Sequence, residues 1–83
     1  PHLVFTGQMD YAPNVDAVVH FAEAVLPAVQ KQLPDARFHI VGRNPAPAVR
    51  ALEGRAGVHV VGAVDDIRPW IGSADMVVAP LRI

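Results

Sequence analysis

The sequence predicts an α/β fold: a Rossmann-like sheet of four parallel strands with helical crossovers. Four short apolar runs, mostly rich in β-branched residues, alternate with helical or loop segments along the 83 residues, as in repeated strand–helix–strand units. These runs are almost continuously apolar, which is typical of strands covered on both faces. Each run ends at Gly or Pro, residues that let a chain turn out of a sheet. The pattern therefore indicates a sheet with helices packed on its faces.

The four predicted strands determine where a ligand would bind. They cover residues 3–6, 37–41, 58–61 and 76–79. Helical crossovers make the strands parallel and the connections right-handed, and a doubly wound topology gives the spatial order 3-2-1-4. Ligands of such sheets bind beyond the carboxyl ends of the strands at which the order reverses. In this chain those ends are Gly7 with Gln8 and Pro80 with Leu81.

The longest predicted helix follows the first strand. Its apolar residues recur at helical spacing from Val15 to Leu33, and polar residues occupy the opposite face. Asn14 is the expected N-cap, because its side chain can accept a hydrogen bond from a free amide of the first turn. Pro27 removes one backbone hydrogen bond, to the carbonyl of Glu23, so we expect a single helix with a kink.

Two shorter helices complete the predicted pattern. The first covers residues 45–54, with Pro in its first turn and Gly at its end. The second covers residues 65–73, begins at a cap formed by Asp65 or Asp66, and stops at Gly72. The chain carries no internal repeat and no linker, so the whole sequence belongs to one unit.

Composition excludes several classes of protein. The chain is 52% hydrophobic and 18% charged, which excludes intrinsic disorder. Its net charge of −1 creates no field that would attract nucleic acid or an anionic membrane. There is no cysteine, hence no disulfide scaffold, and no apolar run approaches the ~18 residues of a transmembrane span. We therefore expect a cytoplasmic protein. The uncapped apolar edge of the fourth strand further indicates a piece of a larger domain.

The glycines that follow the strands are candidate anion-binding positions. Gly7, Gly42 and Gly62 could each bring a backbone amide close to a phosphate near a helix N-terminus. They could equally be simple turns, because the sequence contains neither G-x-G-x-x-G nor a Walker motif. Arg43 could bind an anion in bidentate fashion or be a solvated loop residue.

Acids, histidines and aromatic residues give weaker signals. Asp65 and Asp66 either cap a helix or bind a cation or a ribose. The four histidines lack the spacing of metal ligands, and no serine lies in a nucleophile elbow. The sequence thus predicts no metal site, no other cofactor and no catalytic residue within the chain. Trp70 and Ile71 are expected to pack the last helix on the sheet, although Trp70 could instead stack on a base.

Several motifs occur together in a distinctive order. They include FTGQMD at residues 5–10, PNVDA at 13–17, IVG at 40–42, VGAVDD at 61–66 and SADMVVAPL at 73–81. Together they resemble the C-terminal, donor-binding domain of retaining glycosyltransferases of family 4 (group 1), which have the GT-B fold. The resemblance covers essentially the whole chain, so residues 1–83 are expected to be part of such a domain.

The resemblance implies transfer of a sugar from a UDP- or GDP-linked donor with retention of configuration, without a metal. It also implies a bacterial parent protein that acts in polysaccharide synthesis as a peripheral protein at the inner membrane face. By position, Gly7 and Gln8 would lie beside the diphosphate. The residues expected to border the nucleobase or line the same crevice are Ala63, Val64, Asp65, Asp66, Gly42 and Arg43.

The sequence also departs from the family. Members commonly carry Arg after the first glycine and Lys just before the long helix, where this chain has Gln8 and the pair Pro13 and Asn14. The family's two glutamates would follow Ile83, and its acceptor-binding domain precedes the donor domain, so this chain should be inactive alone. Two alternatives stay open: a sugar-nucleotide 2-epimerase of GT-B fold, or a non-catalytic Rossmann-like interaction module.

Overall fold

The protein is described for residues 1–78 by a computed structural model. Four parallel strands form one sheet in the order β3-β2-β1-β4, which confirms the predicted topology. The strands are β1 (His2–Thr6), β2 (Arg37–Val41), β3 (Val58–Gly62) and β4 (Met76–Val77). The first three agree with the prediction to within one residue at each end. The fourth is shorter, because Val78 is not in a strand; Ala79 and Pro80 lie outside the described residues.

Helical segments connect the strands. They are α1 (Ala12–His20), a π-helical turn (Phe21–Val25), α2 (Leu26–Gln32), α3 (Pro47–Arg50) and α4 (Arg68–Gly72). The first three follow one another without a break, which agrees with the prediction of a single helix; the irregularity that the structure shows is a π turn ahead of Pro27. The interruption is the π turn itself, in which the amide of Leu26 donates to the carbonyl of Phe21, five residues back.

The π turn has a physical cause in the spacing of the buried side chains. Val18, Ala22 and Leu26 are each 1% exposed or less, so the buried residues repeat every four positions. A regular α-helix has 3.6 residues per turn, and a four-residue repeat therefore drifts by about 40° per turn. One wider turn takes up this drift. It also precedes Pro27, whose missing N–H cannot bond to Glu23 in any case.

Two details of the long helix differ from the prediction. The N-cap is Tyr11, with Pro13 in the first turn, so the prediction of Asn14 as N-cap is wrong. Proline is well suited to the first helical turn, and this moves the start of α1 towards the N-terminus. Leu33 is 48% exposed, because α2 ends one residue before it and the chain leaves the helical conformation there.

The two short helices are shorter than predicted. After α3 the chain continues in turns closed by hydrogen bonds between residues three apart, including Leu52 to Val49 and Glu53 to Arg50. α4 begins only at Arg68, because the carboxylate of Asp66 accepts a 3.0 Å hydrogen bond from the Arg68 amide and holds a turn before the helix. Ile67 occupies the N-cap position, one residue after Asp66 and two after Asp65, so the prediction of a cap at Asp65 or Asp66 is wrong.

The hydrophobic core lies between the sheet and the α1–α2 face. Phe38 and Phe21 contact each other with ring centroids 4.6 Å apart, and Leu3, Phe5 and Ile40 complete this side of the sheet. Side chains alternate along a strand, so His2 and His39 lie on the opposite face. There the Trp70 ring lies 5.5 Å from that of His39.

Trp70 therefore packs towards the sheet as the sequence predicts, whereas Ile71 is 38% exposed and does not. Within the described range 1–78, no helix is long and apolar enough to cross a membrane.

Candidate functional site

A pocket opens at the carboxyl ends of β1, β2 and β3. Its volume is about 260 Å³, and it is formed where the chain leaves each of these strands. Five residues singled out from the sequence line it: Gly7, Gly42, Arg43, Ala63 and Val64. The residues that follow β1, β2 and β3, which the sequence places at separate parts of one nucleotide site, thus meet in one cavity. It lies at the carboxyl edge of the sheet, where ligands of doubly wound folds bind. The predicted crevice between β1 and β4 involves Pro80 and Leu81, which lie outside the described residues.

Three predicted site residues do not line the pocket, and three unpredicted ones do. Gln8, Asp65 and Asp66 are exposed residues beside it. The additional lining residues are Thr6, Val41 and Ile67. Thr6 and Val41 could have been found from the sequence, since each is the last strand residue before a singled-out glycine. Ile67 carried no such signal, because the sequence predicts it to lie within a helix over residues 65–73 and not after a strand.

The turns after β1 and β2 approach each other very closely. A Cβ on Gly42 would overlap the carbonyl oxygen of Gly7 and lie 2.9 Å from the Met9 side chain. Position 42 therefore admits glycine alone without a shift of the backbone. The contact fixes the turn after β1 against the turn after β2, on the floor of the pocket.

The amides of both glycines bond to neighbouring strands. Gly7 donates to the carbonyl of Val41 at 3.1 Å, and Gly42 donates to the carbonyl of Gly62 at 2.9 Å. These bonds extend the sheet ladder beyond the last strand residues. Neither N–H is therefore free for an anion in this structure, and any anion contact at these turns must use other groups.

Hydrogen bonds from three directions hold the segment after Gly7. Met9 is fully buried, its amide donates to Arg43 at 2.9 Å, and its carbonyl accepts from Ala46 at 3.0 Å. The side chain of Asn14 donates to the carbonyl of Gln8 at 3.0 Å. The segment is thus anchored through its main chain, and the Gln8 side chain is left exposed.

Charge at the site comes from Arg43. It is the charged residue among those that line the pocket, and within residues 1–78 it makes no ion pair. Asp66 differs, since its carboxylate pairs with Arg68 at 2.9 Å. Hydrogen bonds from Arg68 lower the pKa of Asp66 below its ordinary value. Asp66 is therefore engaged in the turn before α4, although it is not the helix cap that the sequence predicts.

Three histidines form a cluster across the sheet away from the pocket, in which the His39 ring is stacked on that of His59 and meets that of His2 edge to face. The ring centroid of His39 lies 4.3 Å from that of His2 and 4.8 Å from that of His59. Burial lowers the pKa of His39, and the neighbouring charges of His2 and His59 lower it further. Within residues 1–78 these rings do not converge on a common point with carboxylates as metal ligands do.

The fold and the pocket define a class: a Rossmann-like α/β domain with its candidate ligand site at the carboxyl ends of parallel strands. The sequence comparison gives the family. Residues 1–83 match the family described as Glycosyl transferases group 1. The chain belongs to this family, and its general role is therefore in glycosyl transfer from a nucleotide-sugar donor to an acceptor. No curated protein and no solved structure is similar enough to the chain to count as a match.

Proposed function

We propose that residues 1–83 are part of the donor-binding domain of a retaining GT-B glycosyltransferase of family 4. The donor is a UDP- or GDP-linked sugar, and the product is a glycan or polysaccharide. The observation that carries the proposal is the meeting of Gly7, Gly42, Arg43 and Ala63 in one pocket at the carboxyl edge of the sheet. A nucleotide is the ligand class that such an edge takes in doubly wound folds.

The pocket has two chemically different sides, which suit the two ends of a nucleoside diphosphate. Arg43 supplies a cation for the phosphates, since guanidinium pairs with phosphate oxygens in bidentate fashion. Ala63, Val64 and Ile67 form an apolar wall, against which a flat base can bury its surface. Asp65 lies next to this wall in sequence and carries no hydrogen bond within the described residues, so its carboxylate is available to a ribose hydroxyl.

The remaining parts of the reaction belong to other segments of the proposed parent. The acceptor-binding domain closes over the donor, and groups that follow the fourth strand contact the donor sugar. Because this chain contributes the nucleotide side alone, we expect binding without transfer. The domain assignment to residues 1–83 rests on the same family resemblance, and the proposed cytoplasmic location rests on the composition of the sequence.

Nucleotide titration tests the proposal. Changes in the amide resonances of the 83-residue chain are followed by NMR as UDP or GDP is added, for the wild type and Gly7→Val. A side chain at Gly7 would press on Asn14, which lies 3.0 Å from the Cβ position, and on Phe5 at 3.3 Å. We expect saturable binding in the wild type and weaker binding in the variant, with retained dispersion of the spectrum.

The product of the complete enzyme tests the reaction class. Anomeric NMR signals of the transferred sugar distinguish retention from inversion, and formation of a C2 epimer without transfer would indicate the epimerase alternative. Complete absence of UDP and GDP binding would contradict the donor domain and leave an interaction module.

A further inference from the structure

The strand β3 lies at one end of the sheet and, among the described strands, pairs with β2 alone. Its other side is therefore an open edge. An edge of this kind presents N–H and C=O groups to which a strand of another chain can bind. We propose that the carboxylate of Glu53 blocks the open edge of β3, and that the surface it blocks fits β3 of a second copy of the chain.

Two amides of β3 point to the open edge. The amide of Val58 donates to the carbonyl of Arg55 at 3.0 Å, and the amide of Val60 donates to the carboxylate of Glu53. Both acceptors belong to the segment between α3 and β3, which lies outside the sheet. Amides two residues apart share one side of a strand, and here it is the side away from β2.

A backbone acceptor lies between these two donors. The amide of Val58 points away from β2, and the carbonyl of Gly57 in the same peptide group accepts from Phe38 of β2 at 2.7 Å. The next carbonyl along the strand, that of Val58, therefore points to the open edge. Within residues 1–78, no group donates a hydrogen bond to it there. The edge thus has an open acceptor between two donors that the chain itself occupies.

The residues of β3 favour pairing with another strand. Three of its five residues are valine, and it contains neither Pro nor Asp, Glu, Lys or Arg, a composition typical of segments that pair edge to edge. A second β3 has the same alternation of donors and acceptors. Two such strands that pair antiparallel about a two-fold axis form an assembly that closes after two copies. The partner that fits this edge is therefore the chain itself.

Glu53 opposes this pairing. A strand that binds to the open edge must take the Val60 amide from the carboxylate, and in a symmetric dimer this happens once in each copy. The Val58 bond differs, because its acceptor is a main-chain carbonyl that no substitution at position 53 removes. The side chain of Glu53, which belongs to an exposed residue, is thus the part of the block that can be tested.

Glu53→Ala removes the acceptor from the Val60 amide. In sedimentation equilibrium of the 83-residue chain, we expect this variant to form dimers at a concentration about 25-fold lower than the wild type. Each copy contributes about fivefold, the effect of one hydrogen bond that no longer has to be broken. Glu53→Gln keeps an acceptor oxygen without the charge, so its association should differ from that of the wild type by less than about fivefold.

Hydrogen exchange followed by NMR identifies the surface that associates. In Glu53→Ala, the Val60 amide should exchange faster than in the wild type at low concentration. The amides of Val58 and Val60 should then gain protection as the concentration rises. Glu23→Ala is the matched control, because it removes the same charge from an exposed residue of the π turn, and it should associate like the wild type.

Three results would overturn the proposal. The first is a Glu53→Ala chain that is as monomeric as the wild type over the same concentrations. The second is association of this variant without protection of the Val58 and Val60 amides, since another surface would then be responsible. The third is equal association of the Gln and Ala variants, because the hydrogen bond to Val60 would then not be the block.

Discussion

Arg43 supplies the positive charge of the pocket, because it is the charged residue among those that line it. Family members commonly carry two cations beside the diphosphate, at positions where this chain has Gln8 and the Pro13–Asn14 pair. Neither replacement is charged, and Arg43 lines the pocket without an internal partner among the described residues. We therefore expect its guanidinium to be the group on which phosphate affinity depends most strongly.

Arg43→Ala is expected to weaken UDP or GDP binding by about tenfold, the lower range for a hydrogen bond to a charged group at an exposed position. The affinity of the variant should also depend less on salt, since one screened charge pair is lost. Titrations at two salt concentrations measure both effects. Arg55→Ala is the matched control, because Arg55 is exposed and does not line the pocket; an equal loss in this control would contradict the role of Arg43.

The role of individual residues was only partly readable from the sequence. Gly42 and Arg43 could be placed at the pocket because a residue that follows a strand must lie at the carboxyl edge of the sheet. The bond from Asn14 to Gln8 could not be predicted, since it depends on where α1 begins. The N-cap is Tyr11 and not Asn14. Asn14 therefore lies within the first turn of α1, where its side-chain amide contacts the preceding turn.

At the scale of elements, the turns after β1 and β2 act as a pair. Each is short enough that the two backbones touch, and the touching point is a glycine with no space for a Cβ. The positions of β1 and β2 and the shape of the pocket floor thus depend on the same contact.

Gly42→Ala is expected to lower the free energy of unfolding by about 1–3 kcal/mol, the range for overpacking, because the backbone of Gly7 must move. Urea unfolding followed by circular dichroism measures this change. Gly72→Ala is the control, since Gly72 has open space around its Cβ position and lies in a helix, where alanine is favoured. Equal stability of the Gly42 variant and the wild type would contradict the contact.

Strands were more predictable than helices. β-branched runs ending at glycine define strands locally, and the predicted bounds held for β2 without change. Helix ends depend on tertiary contacts that spacing does not reveal. α4 is shortened by the Asp66–Arg68 interaction, and the chain after α3 follows tighter turns that keep Leu52 buried.

At the scale of the whole molecule, the cluster of His2, His39 and His59 makes the stability of the sheet depend on pH. His39 on β2 contacts His2 on β1 and His59 on β3. Burial is the largest cause of its lowered pKa, followed by His2, His59 and Arg37, while Glu53 acts in the opposite direction. A charge on this ring therefore disfavours the folded state.

Stability is expected to fall as the pH drops below the ordinary histidine value of 6.5. Between this value and the lowered pKa of the folded state, the unfolded chain binds more protons, so stability rises with pH across that window. His39→Phe keeps an aromatic ring and removes the group that binds the proton. The free energy of unfolding of this variant should therefore change less with pH than that of the wild type. Urea unfolding from pH 7.5 to 5 measures both proteins.

His20→Phe provides the comparison, because His20 is exposed on α1 and lies outside the cluster of His2, His39 and His59. The same pH dependence in wild type and His39→Phe would show that other groups cause it.

Topology followed from the sequence because crossovers and handedness leave few alternatives for strands joined by helices. Pocket volume and the approach of turns could not be predicted, since both depend on distances of a few ångströms between segments far apart in the chain.

The π turn also bears on how the length of this segment can vary. Val18 and Leu26 are both buried and fix the two ends of this segment on the sheet. Between them, the π turn holds one residue more than a regular α-helix would. Deleting one exposed residue here, such as Ala24, would let an ordinary helix connect the same anchors. Homologous sequences with a single-residue gap at this place would therefore keep β1 and β2 in register, whereas a gap within α1 or α2 would rotate the apolar face away from the sheet.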